Sequence, residues 1–341
     1  MPVHTYEVVL KFSDAVEHTI QVPAGTSILE AALAQDVAIL HRCQSGSCGS
    51  CVGKLTVGDA KMRANVAASL LDSEKQEGLR LTCVCEALSD CTIAFDYESD
   101  AANVTPDKVS VFINAIEWLA EDVVKLELEL ADGDWLSFQP GQFVQVKVPD
   151  TNHYRRYSIA SAPEELPRFE LLIRVLPDGV MSDYLRADAK IDDVLEVEGP
   201  FGSFFWRANM QAPHLFIAGG TGLAPMMAML EVIRSSNKKK PKMLMSFGCR
   251  DKDSLFYREE LALREFWMPT FEHRISIDSG EELPGISLGN PVEAITEGDV
   301  CADTVAYLCG PPQMVARAYE HLEKLGVNPK NIFAEQFVAS E

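Results

Sequence analysis

The sequence is short of positive charge. Its 30 lysines and arginines face 51 aspartates and glutamates, a formal net charge of −21. Phosphate backbones are held by basic surface, so nucleic acid is excluded as a partner. The acidity serves solubility, and it can also steer the chain toward a basic protein. Long apolar runs are missing too: none approaches the roughly 20 residues that a membrane helix requires. Met1 to Leu10 alternates like a strand and lacks the charged-then-apolar order of a signal peptide. A membrane-free, cytoplasmic protein is expected. There is no internal repeat, and the one low-complexity patch, Lys238-Lys239-Lys240, reads as a solvated loop.

What is present is a chain of 341 residues, 47% of them hydrophobic, enough for two or three globular domains. Residues 1–97 open with two strands, Tyr6 to Phe12 and His18 to Val22. A helix from Ile28 follows, capped by Thr26 or Ser27 with Glu30 as capping-box partner. After a cysteine-rich loop come a helix near Ala67 to Glu74 and paired strands Leu79 to Val84 and Cys91 to Phe95. That mixture predicts an α+β domain. Residues 98–107, rich in Ser, Ala, Asn and Asp, read as a linker. In residues 108–207, Val124, Leu126, Leu128 and Leu130 alternate with charged residues, and Val144, Val146 and Val148 do likewise. Such strands, separated by turns at Pro140-Gly141 and Gly199-Pro200, predict a small antiparallel barrel. Residues 208–341 alternate strand (His214 to Ala218, Lys242 to Gly248, Phe271 to Ile277, Thr304 to Leu308) with helix (Ala224 to Arg234). This is a doubly wound α/β pattern, the kind that binds nucleotides at strand C-termini.

Of nine cysteines, Cys43, Cys48 and Cys51 stand in C-x4-C-x2-C spacing. That is the plant-type [2Fe-2S] spacing, completed by a distant fourth cysteine. Four thiolates must converge from one wrapped loop. The small residues Ser45, Gly46, Ser47, Gly49 and Ser50 let the backbone pass close, with its N–H groups turned to sulfur. Zinc and a disulfide pair are the competing readings, but structural zinc usually takes two close pairs. No Cys-x-His occurs, so a two-histidine Rieske centre is excluded and the terminal oxidation belongs to another protein.

The loop resembles the ferredoxin domain, of β-grasp type, found in plant-type ferredoxins and oxygenase reductases. The resemblance implies that the fourth ligand precedes the aspartate of a Ser-Asp pair by seven positions. Ser89-Asp90 then points to Cys83, with Cys85 as rival because i and i+2 share a strand face. His41 and Cys91 read as structural.

Arg155-Arg156-Tyr157-Ser158 fits the R-x-Y-S motif of the ferredoxin–NADP reductase superfamily. The resemblance implies that Tyr157 stacks on a flavin, Ser158 reaches toward its N5, and Arg155 pairs with the pyrophosphate. Gly179-Val180-Met181-Ser182 opens a helix, where N–H groups make a phosphate site. The resemblance assigns Met181 and Ser182 to the flavin pyrophosphate, with Arg174 as a further contact. It favours FAD over FMN, because FAD enzymes of this kind carry the ferredoxin domain first.

Gly219-Gly220-Thr221-Gly222-Leu223-Ala224-Pro225 resembles the superfamily's G-G-T-G-x-A-P loop. Gly220, Thr221, Gly222 and Pro225 are thereby expected at a nicotinamide dinucleotide's phosphates. Cys309-Gly310-Pro311-Pro312-Gln313-Met314 resembles the C-G-P-P-x-M motif beside the nicotinamide. Cys309 shapes that space; the rival reading, a nucleophile, has no obvious histidine base. Glu335 and Phe337 resemble an acidic–x–aromatic tail that packs near the flavin. Asp251, Asp253 and Asp278 favour NADH, while Arg250 would suit a 2′-phosphate.

A nicotinamide delivers two electrons together and a [2Fe-2S] cluster accepts one, so a flavin must stand between them. The order of modules resembles reductases of bacterial aromatic-ring dioxygenases of the benzoate type and of di-iron monooxygenases. The implied partner is a terminal oxygenase component (Rieske or di-iron) or an intermediate ferredoxin. The alternatives are a reductase for nucleotide-sugar deoxygenation and a bare electron-carrier module.

Overall fold

The computed structural model describes residues 4–41, 46, 49–63, 70, 72–102, 107–209, 211–281 and 283–337. It divides into two units, one of residues 1–106 with 201–203 and the other of 107–200 with 204–341.

The first unit has strands β1 (Thr5–Lys11), β2 (Glu17–Pro23), β3 (Val52–Val57), β4 (Ala60–Met62), β5 (Leu79–Leu81), β6 (Cys85–Ala87) and β7 (Cys91–Ala94). Its helices are α1 (Ile28–Leu33), α2 (Asp72–Gln76) and α3 (Ser99–Ala102). The main sheet runs β2-β1-β7-β3-β5. Within it β1 and β7 are parallel and the other pairings antiparallel. Ser27 caps α1 by accepting from the Glu30 amide at 3.2 Å. Ile28, Leu29, Ala31 and Ala32 of α1 are buried. Two expectations are corrected. The segment Leu79 to Val84 is not one strand: β5 stops at Leu81 and Thr82–Val84 is a 3₁₀ turn. It also does not pair with the strand from Cys91, because β3 lies between them and pairs with both. The helix read near Ala67 to Glu74 lies partly outside the described residues, where α2 spans Asp72–Gln76.

The second unit begins with β8 (Asp107–Ala120), β9 (Val123–Leu130), β10 (Phe143–Lys147), β11 (Tyr154–Ser158), β12 (Arg168–Arg174), α4 (Val180–Ala187) and β13 (Val194–Phe201). These strands form the sheet β11-β10-β13-β8-β9-β12. A bridge from Ile159 to Leu171 joins the segments following β11 and within β12, closing the barrel. Val111, Leu126, Leu128, Val144 and Val146 are fully buried inside it, as their period of two requires. Gly199-Pro200, read as a turn, lies instead within β13, which pairs with β8 as far as Gly199.

The chain continues through β14 (His214–Gly219), α5 (Leu223–Ser235), β15 (Met243–Cys249), α6 (Arg258–Trp267), β16 (Phe271–Ile277), β17 (Ile286–Leu288), β18 (Val305–Gly310), α7 (Pro312–Lys324) and β19 (Ile332–Gln336). All are parallel in the sheet β17-β16-β15-β14-β18-β19. The order reverses at β14, and a crevice opens at such a switch point, beyond the strand C-termini. The core of this sheet is not its own alone. Val123, Ala160, Leu172 and Phe204 from the barrel segments pack in the same cluster as Phe216, Met226, Phe247 and Tyr307.

Candidate functional site

In the first unit the described part of the cysteine loop is held from both sides. Tyr97, 2% exposed, accepts the Leu40 amide on its hydroxyl at 3.2 Å, fixing the chain just before the loop. His41 turns Nδ1 back to the Ile39 carbonyl at 2.7 Å, a structural contact. Gly49 has φ +71°, a conformation that side chains disfavour. Cys43 and Cys48 lie outside the described residues. Cys51 and Cys83 are buried together: the Cys83 amide donates to Cys51 Sγ at 3.5 Å, and Thr82 donates its amide and hydroxyl to the Cys51 carbonyl at 3.0 Å. An amide turned to a cysteine sulfur suits a thiolate that ligates iron. Cys85 sits in a different setting, on β6, paired with Met62.

In the second unit β11 brings the R-x-Y-S residues to the barrel surface. Arg155 and Tyr157 are half-buried and Ser158 is buried. Tyr157 packs on the barrel core, and burial pushes its phenol up. The Ser158 hydroxyl donates to Glu335 Oε2 at 3.3 Å. Glu335 stands on β19 opposite Cys309 on β18. Burial pushes its carboxyl up to about 8, while Ser158 and Arg156 pull the other way. Cys309 is fully buried and burial pushes its thiol up, which leaves it protonated and counts against a nucleophile. Phe337 is half-buried against the nicotinamide-side core, its amide donating to the Gly310 carbonyl at 2.8 Å.

Three expected flavin contacts are refined. The Met181 side chain is buried in the barrel core, so only its amide, in the opening turn of α4, can meet a phosphate. Ser182 Oγ accepts the Leu176 amide at 2.9 Å and so braces the loop before α4. Arg174 lines the cleft at the ends of β14, β15 and β18.

That cleft encloses about 300 Å³, within the range of small-molecule sites. Gly220–Gly222 form a 3₁₀ turn that leads straight into α5, so the turn presents its amides at a helix start. A Cβ on Gly222 would stand 2.3 Å from the Cys309 carbonyl, so only glycine lets the two motifs meet. Pro225, buried in the first turn of α5, occupies a place where no N–H is needed. The cleft is also lined by Asp122, Arg250, Asp278 and Arg317. Asp122 Oδ2 lies 3.0 Å from Arg174 Nη2 and 3.7 Å from Arg250 Nη2. Arg250 Nε donates to Asp251 at 2.9 Å.

Three family models match in the same order. The 2Fe-2S iron-sulfur cluster binding domain matches residues 12–88, the oxidoreductase FAD-binding domain 110–206, and the oxidoreductase NAD-binding domain 216–320. The toluate 1,2-dioxygenase electron transfer component of Pseudomonas putida is 31% identical, covering 98% of this chain and 99% of that protein. The chain belongs to the iron–sulfur flavoprotein reductases of oxygenase systems. The xylene/toluene monooxygenase electron transfer component of Pseudomonas putida is 32% identical over 93% of this reductase and 90% of that protein. Among solved structures, the cytochrome P450 reductase of Amycolatopsis matches with a TM-score of 0.72 and 26% identity, over 98% of this chain and 100% of that one.

The reductase therefore carries electrons from a nicotinamide dinucleotide through FAD to a [2Fe-2S] cluster, and the bare-carrier alternative is set aside. Motif reading missed Tyr97, Thr82 and Asp122. The first two act on backbone and have no motif of their own. Asp122 is one acid among many in the sequence, and only its neighbours single it out. Among the described residues, no helix is long and apolar enough to cross a membrane.

Proposed function

We propose that this reductase draws on NADH in the cytoplasm and supplies the terminal oxygenase of an aromatic-ring system. The reported relatives above 30% identity carry that chemistry in their names, toluate and xylene/toluene, and align over nearly the whole chain. The preference for NADH rests on Arg250. Its guanidinium already meets Asp251 and Asp122, so two carboxylates occupy the cation that a 2′-phosphate would need. Asp278 adds a further acid to the cleft.

The residues divide the work as follows. Cys43, Cys48, Cys51 and Cys83 would hold the cluster within residues 1–97; of residues 98–107, read as a linker, Ser99–Ala102 form α3 and Asp107 opens β8. Within residues 108–207 Tyr157 would line the place of the flavin ring, and Arg155, the Met181 amide and the Ser182 turn would hold the FAD pyrophosphate. Gly220, Thr221, Gly222 and Pro225, in residues 208–341, hold the dinucleotide. A flavin held there would supply the exchange between two-electron and one-electron transfer. The protein's part is to orient. Ser158 and Glu335 form the polar spot on the flavin side, with a proton available on Glu335. Cys309 fixes the floor and Phe337 covers the approach.

Steady-state reduction of cytochrome c tests the cofactor choice: kcat/KM for NADH should exceed that for NADPH at least about tenfold, and the reverse order refutes it. Reconstitution with a terminal aromatic-ring oxygenase tests the partner. Coupled product formation supports the proposal; turnover only with a nucleotide-sugar dehydrase overturns it.

A further inference from the structure

We infer that Asp122 is a positioning residue for the nicotinamide dinucleotide: it fixes Arg174 so that the guanidinium offers its other nitrogen to the diphosphate. This rests on the reading of the cleft as the dinucleotide site. Asp122 stands in the turn between β8 and β9, and that turn is anchored twice by backbone. The Asp122 carbonyl accepts the Val175 amide at 2.8 Å, and the Glu121 amide donates to the Asp253 carbonyl at 3.2 Å. The first bond ties the turn to the residue after Arg174; the second ties it to the segment after Arg250. The carboxylate is thus placed by main chain before any side chain meets it.

Its Oδ2 takes Arg174 Nη2 at 3.0 Å. Arg174 Nη1 then lies 3.6 Å from where a Cβ on Gly220 would be, directly over the glycine turn. A guanidinium has five N–H donors in a rigid fork. One edge is spent on Asp122, and the remainder points where a diphosphate on the Gly220–Gly222 amides would lie. Stability does not account for the arrangement. A partly solvent-screened ion pair contributes modestly, and the other carboxylate oxygen, Oδ1, is buried with no hydrogen-bond partner among the described residues. A buried acceptor left unmet is a cost. It is the geometry of Arg174 that the carboxylate secures.

The test uses the flavin- and cluster-loaded reductase with Asp122→Asn and Asp122→Glu, ADP-ribose as probe, and NADH-driven ferricyanide reduction. Asp122→Asn should raise the ADP-ribose Kd and the NADH KM roughly tenfold, as expected for loss of a charge-assisted bond. It should leave kcat at saturating NADH within about twofold, with FAD content and Tm unchanged, and Asp122→Glu should recover part of the affinity. In an Arg174→Ala background, Asp122→Asn should add nothing. Tighter ADP-ribose binding by Asp122→Asn, an effect that persists without Arg174, or a fall in kcat at constant KM would each overturn the inference. Failure of the wild-type chain to bind ADP-ribose would instead refute the cleft's assignment.

Discussion

Cys83 and Cys85 are two positions apart, yet they lie in different kinds of backbone. Cys83 is in a 3₁₀ turn with its amide on Cys51 Sγ, and Cys85 is in a strand paired with Met62. The shared strand face that made them rivals does not exist. Cys83→Ser should therefore abolish the cluster's visible absorption, and Cys85→Ser should retain it. The opposite pattern reassigns the fourth ligand. Glu335 gives a second prediction. With its carboxyl up at about 8, it is protonated below that pH and charged above it. The rate of NADH-driven flavin reduction should show an ionisation near this value, and Glu335→Gln should flatten the profile. An unchanged inflection would place it on another group. At this scale the cysteine spacing and the R-x-Y-S stretch stand out in the sequence because the chemistry they suggest demands fixed types at fixed spacing; Cys43 and Cys48 lie outside the described residues. Asp122 was not, since its meaning comes from Arg174, 52 residues away.

Elements were legible where burial is regular. β9 alternates in burial and was found; β10 was found from its alternating sequence, although Gln145 is buried with its apolar neighbours there. β8 was not, because its register against β9 shifts at Ile113/Ala115 and Trp118/Ala120, and each bulge reverses which residues face inward. The start of β14 carries a pH dependence. His214, 2% exposed, donates Nδ1–H to the Ala212 carbonyl at 2.9 Å, and Nε2 accepts from Trp206 Nε1 at 3.4 Å. The ring stacks with Tyr307 at 6.1 Å. A second proton on the ring would face the indole donor, and burial holds this imidazole below the usual histidine range. As pH falls below about 6.5 the unfolded chain takes up the proton first, so stability is lost on acidification. His214→Phe should lack this loss. The wild-type Tm should drop relative to the variant between about pH 7 and pH 5.5; parallel curves would refute it.

For the whole molecule, order of modules was legible because each has a motif that no other shares. The join between barrel and nicotinamide sheet was not, because apolar residues do not announce which partner they will pack on. Electron flow through the modules is separable by acceptor. The Cys83→Ser chain should keep NADH-driven ferricyanide reduction, which draws on the flavin, and lose product formation by a reconstituted oxygenase. Loss of both would mean that the cluster unit is needed for the flavin step itself.

The shared core decides where this chain can be cut and rejoined. Val123, Ala160, Leu172 and Phe204 belong by sequence to the barrel and by packing to the nicotinamide sheet. A chimera spliced after Arg207 would set these four buried side chains, and the partly buried Leu119, Ala120 and Trp206 beside them, against a core that evolved without them. Exchange of cofactor preference between relatives by grafting should therefore transplant barrel and nicotinamide sheet together, or carry all of those positions along with the graft.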